Sequence, residues 1–192
     1  MSTAYGAERR ARAPAPGRLK LVQQFVNSLD IEASSEDFQT RAELRTWLVS
    51  HGLAKPRGLR LTSKDLDRAR RFRELVRELA AGNNGMPQSQ RLQKELNREL
   101  ASLPLIATVE GEGTTRLVPA RDGLDQALAQ IAAIVVEEMI SGRWNRMKAC
   151  AQEICRWVFY DHSRSRTGIW CTMAVCGSRA KSRAYYRRRT AG

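Results

Sequence analysis

The C-terminal quarter of the chain is organised by the stretch CAQEICRWVFYDHSRSRTGIWCTMAVC, residues 150–176, in which fifteen residues separate two cysteine pairs of identical spacing. All four cysteines of the chain lie in this stretch: Cys150, Cys155, Cys171 and Cys176. Thiolate is a ligand that Zn²⁺ prefers, four thiolates complete a tetrahedron, and a short loop lets each pair reach one ion. The spacing therefore predicts one structural zinc ion held by the four cysteines.

Two disulfide bonds, or four buried free thiols, are the alternatives for these cysteines. The N terminus has no apolar run suited to a secretory signal, so we expect a cytoplasmic protein. In a reducing cytoplasm, clustered cysteines more often bind metal than pair. The chain also has no stretch of roughly 20 apolar residues that could span a membrane.

Basic residues are concentrated at the two ends of the chain, whose net charge is +13. Residues 143–192 contain twelve Lys and Arg against two acids, and residues 1–20 contain five against one, so the middle is close to neutral. Such an excess is typical of nucleic-acid binding, because neutralised phosphates release counterions. A membrane surface is the competing polyanion, but no amphipathic basic helix or lipidation motif accompanies the charge. We therefore predict double-stranded DNA as the partner.

A basic helix is predicted from Met173 through Arg189, because this segment lacks proline. One-turn spacing permits two basic stripes, one with Arg179, Arg183 and Arg187 and the other with Lys181, Tyr185 and Arg188. A helix of this width fits the major groove of DNA. The predicted DNA contacts are Arg164 and Arg166 between the cysteine pairs, and Arg179, Lys181, Arg183, Arg187, Arg188 and Arg189 on the helix. Aromatic and apolar cover for the metal is expected from Trp157, Phe159, Tyr160, Trp170 and Met173.

Residues 18–142 show mainly helical periodicity. The predicted helix starts are Thr40 with Glu43 as a capping box, Thr62 or Ser63, Ser89 and Asp122. The second of these helices ends at Gly82 and is expected to expose its Arg and Glu residues. The last is expected to turn its apolar residues inward, at Leu124, Leu128, Ile131, Ile134, Val135 and Met139. Two β-prone runs, 105–109 and 114–118, predict a single hairpin with a glycine-containing turn.

No residue pattern in 18–142 indicates catalysis. His51 precedes Gly52 at a helix end, where it can bond terminal carbonyls. Trp47 and Phe72 have the spacing of core residues, or they line an apolar ligand pocket. Asn27 is either a helix-ending cap or a buried amide that serves such a pocket. Asn27, Trp47 and Phe72 are therefore the candidate ligand-pocket residues.

The segment from Cys150 to Arg189 resembles the CGNR zinc-finger family. It shares the two cysteine pairs, the aromatic run Trp157-Val158-Phe159-Tyr160-Asp161, the Ser-Arg pair and the motif from Trp170 to Lys181. Ser178 replaces the family's asparagine, so a single hydroxyl stands where an amide could bond in two directions. The resemblance implies a DNA-binding finger and adds Ser178 to the predicted contacts.

The preceding segment resembles the ABATE domain that usually stands before this finger. The similarity is carried by Phe25-Val26-Asn27-Ser28-Leu29, by Trp47-Leu48 with Gly52-Leu53, and by Phe72-Arg73-Glu74-Leu75. It implies a mostly helical domain of a stress-induced transcription regulator, in bacteria and particularly actinobacteria, with a small-molecule effector suspected.

These observations predict a mainly α fold with one small β-hairpin and a treble-clef-like zinc module. The expected divisions are a disordered basic arm, 1–17, a helical regulatory domain, 18–142, and a zinc-finger DNA-binding domain, 143–192. The functional hypothesis is a sequence-specific transcription regulator of the bacterial nucleoid; the alternative is an accessory module that binds RNA or the transcription machinery. An enzyme is not expected, because four thiolates leave zinc no position for water. The sequence leaves open whether RNA polymerase is contacted, whether an effector binds, and whether the chain forms a homodimer.

Overall fold

The computed structural model describes residues 13–85 and 87–190, and it is 52% helical with small two-stranded sheets. The α-helices are α1 (Leu19–Val26), α2 (Arg41–Ser50), α3 (Ser63–Gly82), α4 (Gln90–Ala101), α5 (Gly123–Ile140) and α6 (Ser178–Thr190). The antiparallel strand pairs are β1 (Leu29–Asp30) with β2 (Ser35–Glu36), β3 (Leu105–Val109) with β4 (Thr115–Pro119), and β5 (Met147–Ala149) with β6 (Val158–Tyr160). The mainly α class is confirmed. The predicted hairpin is β3–β4, and two shorter sheets accompany it.

The four predicted helix starts are found, and three of them, at Thr40, Thr62 and Ser89, have a side-chain cap hydrogen bond, whereas Asp122 precedes its helix without one. The Thr40 hydroxyl accepts from the Glu43 amide at 3.2 Å, and the Glu43 carboxylate accepts from the Thr40 amide at 2.7 Å. Thr62 and Asp65 form the same reciprocal pair ahead of α3. Each pair satisfies amides that the first helical turn leaves without a partner.

We call residues 19–142 the body. Its core is built mainly from α1, α3 and α5. Helix α5 buries Leu128 and Ile131 completely, as its apolar periodicity predicts. The expectation that Met139 points inward is wrong, since this side chain is 48% exposed. Met139 belongs to the last turn of α5, where it lines the edge of a cavity between α3, α4 and α5 instead of packing in the core.

Two arginines of α3 contradict the expectation that this helix exposes its charged residues. Arg73 is 2% exposed and Arg77 is completely buried. The Arg73 guanidinium donates to both carboxylate oxygens of Glu36 at 2.7 Å, a bidentate geometry that arginine forms well. Hydrogen bonding to Arg73 accordingly offsets burial and lowers the pKa of Glu36. Both arginines are therefore structural.

The β5–β6 hairpin joins the body to the cysteine-containing segment. Its register pairs Met147 with Tyr160 and Ala149 with Val158, and all four side chains belong to the body's apolar core. Phe159 instead packs with the cysteines in a second cluster. Because successive residues of a strand face opposite sides, one hairpin covers both cores.

The entry into α1 also packs against the body. Ala15 is buried, and its amide donates to the Gln23 side chain at 2.8 Å. Residues 1–12 of the predicted arm lie outside the described residues. None of the helices in the described part of the chain combines the length and apolar character that a membrane span needs.

Candidate metal centre and nucleic-acid interface

The four cysteines converge on one point. Their sulfur atoms all lie within 4.8 Å of one another, and every one of the side chains is buried. The Sγ atom of Cys171 is 3.6 Å from Sγ of Cys155 and 3.6 Å from Sγ of Cys176. Four Zn–S bonds of about 2.3 Å in a tetrahedron place sulfurs about 3.8 Å apart. The thiols are free rather than paired in disulfides, so their separation fits a single zinc ion.

The electrostatics of the cluster also favour a cation. Hydrogen bonding to the Cys155 thiol lowers the pKa of Cys150, whereas hydrogen bonding to Cys150 raises the pKa of Cys171. Four neighbouring sulfurs therefore do not ionise independently of one another. A divalent ion would remove the repulsion between neighbouring thiolates, because it stabilises all four of them at once. The cluster is a structural zinc site, and no fifth ligand is required.

The metal centre has its own apolar cover. Trp157, Phe159 and Val175 are buried beside the cysteines, and Trp170 packs against them. Tyr160 is buried as well, but in the core of the body. The prediction that Met173 contributes to this cover is wrong, because its side chain is 56% exposed. A module this small gains its remaining stability from the ion.

The loop between the cysteine pairs is organised by a buried ion pair. The Lys148 ammonium donates to the Asp161 carboxylate at 3.0 Å, and also to the carbonyls of Arg166 and Gly168. Asp161 accepts in addition from the amides of Ser163 and Gly168, and these bonds hold its pKa at about 2 against the effect of burial. A side chain at Gly168 would meet the Asp161 oxygens at 3.1 Å. These contacts fix residues 161–168 as a tight loop.

Arg164 and Arg166 are exposed on this loop. Arg166 has a φ of 57°, a left-handed conformation that non-glycine residues adopt rarely. Its carbonyl is thereby held on the Lys148 ammonium at 2.5 Å. The Lys148–Asp161 pair is therefore the anchor that presents both arginines to solvent.

We expect Asp161→Asn to lower the free energy of unfolding by about 3 kcal/mol, because it leaves the Lys148 ammonium buried without its counter-charge. Urea unfolding followed by tryptophan fluorescence measures this loss. Glu153→Gln is the matched control, since Glu153 is an exposed acid of the same module. Equal stability of the two variants would contradict the anchoring role.

Helix α6 has two faces with different surroundings. Arg179 forms an ion pair with Glu32 of the body at 2.5 Å, and Arg183 donates to the Gln152 side chain. Lys181, Tyr185 and Arg188 lie on the opposite side of the helix, since two residues in a helix span about 200°. We call Arg179 and Arg183 the inner stripe, and Lys181, Tyr185 and Arg188 the outer stripe. All residues from Lys181 to Thr190 are exposed, so the outer stripe is open to a partner.

The other predicted contacts on this helix are also at the surface. Arg187, Arg188 and Arg189 are exposed in the last turn. The exposed Ser178 donates its hydroxyl hydrogen to the Met173 carbonyl at 3.2 Å. This bond joins the π-helical turn Met173–Gly177 to the start of α6, which gives Ser178 a local structural use.

The three candidate ligand-pocket residues do not share one cavity in the described structure. Trp47 packs with Phe25 at 5.7 Å between ring centroids and stacks on His51 at 3.9 Å. The His51 Nδ1 atom lies 2.8 Å from the Trp47 carbonyl, as expected for a residue that bonds terminal carbonyls. Phe72 is buried and lines a cavity between α3, α4 and α5.

Asn27 binds the zinc-bearing segment. It ends α1, and its side-chain amide exchanges two hydrogen bonds with the backbone of Val158: Nδ2 donates to the carbonyl at 2.7 Å, and Oδ1 accepts from the amide at 2.8 Å. The Asn27 side chain thus bonds the Val158 backbone in the way that a residue on a neighbouring strand would, with one donor and one acceptor. The cap interpretation from the sequence is correct, and the contact with Val158 is an additional role.

Three further polar residues of the body hold the same segment. Asn83 donates to the carbonyls of Trp144 and Met147, Asn84 donates to that of Ala149, and Arg77 donates to that of Arg156. We call Asn27, Arg77, Asn83 and Asn84 the polar junction. One feature of the sequence could have indicated these contacts: two asparagines, Asn83 and Asn84, directly follow a helix. An asparagine in that position is also typical of a helix C-cap, which would explain the pair without any contact to the finger.

Two known families match the chain, and the second match begins just ahead of β5. The family described as "Putative stress-induced transcription regulator", named ABATE, matches residues 19–142. The CGNR zinc finger matches residues 146–189, which include the four clustered cysteines, the Lys148–Asp161 pair and most of α6. No curated protein matches the chain. Because the first match spans well over half of the sequence, the chain belongs to the ABATE family, and it carries a CGNR zinc finger at its C-terminal end.

Proposed function

We propose that the chain is a DNA-binding transcription regulator in which the zinc finger contacts duplex DNA through the outer stripe of α6. The observation that carries the proposal is the outer stripe itself. Lys181 and Arg188 make no ion pair with any residue that the structure describes, and acidic residues are absent from α6. The helix carries six basic side chains and no acid, so its positive charges repel one another and a polyanion that neutralises them stabilises the helix.

The exposed loop arginines extend this surface. Arg164 and Arg166 carry two further charges on a loop that the buried Lys148–Asp161 pair holds in place. Contacts of this kind position a protein on the phosphate backbone, whereas base contacts specify the sequence. We infer that the loop supplies phosphate contacts and that α6 lies in the major groove. Arg179 is held by Glu32, so its proposed role is to fix the angle of α6 against the body.

The proposed role is binding rather than catalysis. Four thiolates complete the coordination of zinc, so the ion has no position for a water molecule or a substrate. The site of action we propose is the bacterial nucleoid, with RNA polymerase as a candidate further partner. The competing function, an RNA-binding accessory module, is distinguished by the experiment below.

We expect the double variant Lys181→Ala/Arg188→Ala to reduce the slope of log affinity against log salt by about 2, because about one counterion is released per neutralised phosphate. Fluorescence anisotropy with a labelled duplex, captured first from genomic fragments, measures the slope at several salt concentrations. Lys94→Ala is the control, since Lys94 is an exposed base on α4 of the body.

Two outcomes would contradict the proposal. An unchanged slope in the double variant would remove the outer stripe from the interface. Competition by single-stranded or duplex RNA at least as strong as by unlabelled DNA would instead favour the RNA-binding module. A binding constant that does not respond to salt would exclude phosphate neutralisation altogether.

A further inference from the structure

A cavity of about 230 Å³ lies between α3, α4 and α5. Its apolar floor is formed by α3, where the buried residues Phe72, Val76 and Leu79 line it. A cavity of about 150 Å³ lined by apolar side chains holds benzene, so this volume corresponds to a molecule of roughly ten non-hydrogen atoms. The space suits a small molecule of one or two rings and is too small for a partner helix.

The cavity lies between an apolar face of α5 and a face of α4 that is partly apolar and partly polar. On α5, the residues Ala132, Val135 and Met139 recur at helical spacing and form an apolar wall. On α4, the leucines are spaced strictly by four, and two of the residues that line the cavity are the amides Gln93 and Asn97. Leu96 and Leu100 also line the cavity from α4, and the exposed amides Gln93 and Asn97 stand at its rim, so closer packing of α4 on α5 would bury these polar groups.

The lining specifies the chemistry of an occupant. Among the described residues that line the cavity, none is charged, and the polar ones are three amides. The side chains of Gln93 and Asn97 make no hydrogen bond to the part of the protein that the structure describes, and both are exposed at the rim. A neutral molecule with an apolar body and one hydrogen-bonding edge satisfies both walls.

We propose that this cavity binds a neutral aromatic molecule of one or two rings, with its hydrogen-bonding edge at Gln93 and Asn97. The cavity also adjoins the elements that hold the zinc finger. Leu79 lines it from α3, and the same helix leads within two turns to Asn83 and Asn84, which donate to the finger's carbonyls. A regulatory use of the site rests on the proposed function; ligand binding itself does not.

The test is ¹⁹F NMR titration of the full, zinc-loaded chain with 5-fluoroindole, in the absence of DNA. We expect saturable broadening below about 1 mM. Val136→Phe fills the space beside α5 and is expected to weaken binding at least tenfold. Ile140→Ala is the matched control, because Ile140 is exposed on the same helix and does not line the cavity. Equal binding by both variants, or no saturation by the wild-type chain, would overturn the proposal.

A second variant keeps the test decisive if Val136→Phe fails to fold. Gln93→Ala/Asn97→Ala changes exposed positions and is expected to weaken 5-fluoroindole about tenfold, the loss of one hydrogen bond. The same variant is expected to bind 1-fluoronaphthalene, which has no donor, as the wild-type chain does. Tight binding of the anionic 5-fluoroindole-3-acetate would contradict the neutral class. Because no DNA is present, failure here leaves the proposed DNA binding untouched.

Discussion

Replacement of Cys171 by serine is expected to abolish stoichiometric zinc binding and, with it, DNA binding. Cys171 is buried between Cys155 and Cys176, with sulfur–sulfur distances of 3.6 Å to both. Its replacement therefore removes one of the four zinc ligands. Structural zinc contributes on the order of 10 kcal/mol to the folding of such modules. The separate apolar cluster around the cysteines is too small to replace that contribution.

Metal analysis of the purified variant and circular dichroism measure the two consequences. The helices of the body should persist, because their core is distinct from the cluster around the cysteines. Val175→Ala is the matched control: it removes buried apolar contacts from the same cluster, at a cost of about 2 kcal/mol, and should retain zinc. A serine variant that still holds one zinc per chain and binds DNA would refute the structural role of the ion.

Local signals in the sequence predicted much of the secondary structure. The Thr40–Glu43 capping box starts α2, and the Thr62–Asp65 pair starts α3 in the same way. In each pair the two side chains accept hydrogen bonds from each other's backbone amides, only three residues apart. The cysteine spacing predicted the metal cluster for a similar reason: each pair closes over a short loop. These features depend on residues a few positions apart, so the sequence alone contains their geometry.

The polar junction could not be predicted, because its partners are distant along the chain. Asn27 and Val158 are 131 residues apart, and Arg77 and Arg156 are 79 apart. On α3, Arg77 belongs to a run of arginines and glutamates that is typical of a solvated helix face. In the fold, the end of α1, the first strand and the segment between β5 and β6 all contact this side chain and bury it.

Periodicity likewise left two basic stripes on α6. Both stripes have one-turn spacing, and the sequence offers no criterion between them. The structure distinguishes them by their neighbours: Glu32 and Gln152 engage Arg179 and Arg183, whereas Lys181 and Arg188 form no ion pair with a described residue. The choice depends on how the body is placed against the helix, which is a tertiary property.

Within the polar junction of the described structure, Arg77 makes more side-chain hydrogen bonds than Asn27, Asn83 or Asn84. Its guanidinium is completely buried and donates to the carbonyls of Val26, Leu29 and Arg156, and to the Glu74 carboxylate at 2.9 Å. Burial lowers the pKa of Arg77, and the neighbouring Glu74 opposes that shift. One side chain thus joins the end of α1, the first strand and the backbone next to Cys155.

Arg77→Met is therefore expected to lower the free energy of unfolding by about 4 kcal/mol. Methionine keeps much of the apolar stem, but it removes a donor from one buried carbonyl and from two partly buried ones, at about 1–3 kcal/mol each before relaxation. Urea unfolding by circular dichroism measures the loss, and zinc release to a chelator should accelerate, because the Arg156 carbonyl adjoins a zinc ligand. Arg71→Met is the matched control on the exposed face of α3. If both variants lose the same stability and release zinc at the same rate, the body does not support the finger, and the two families on this chain fold independently.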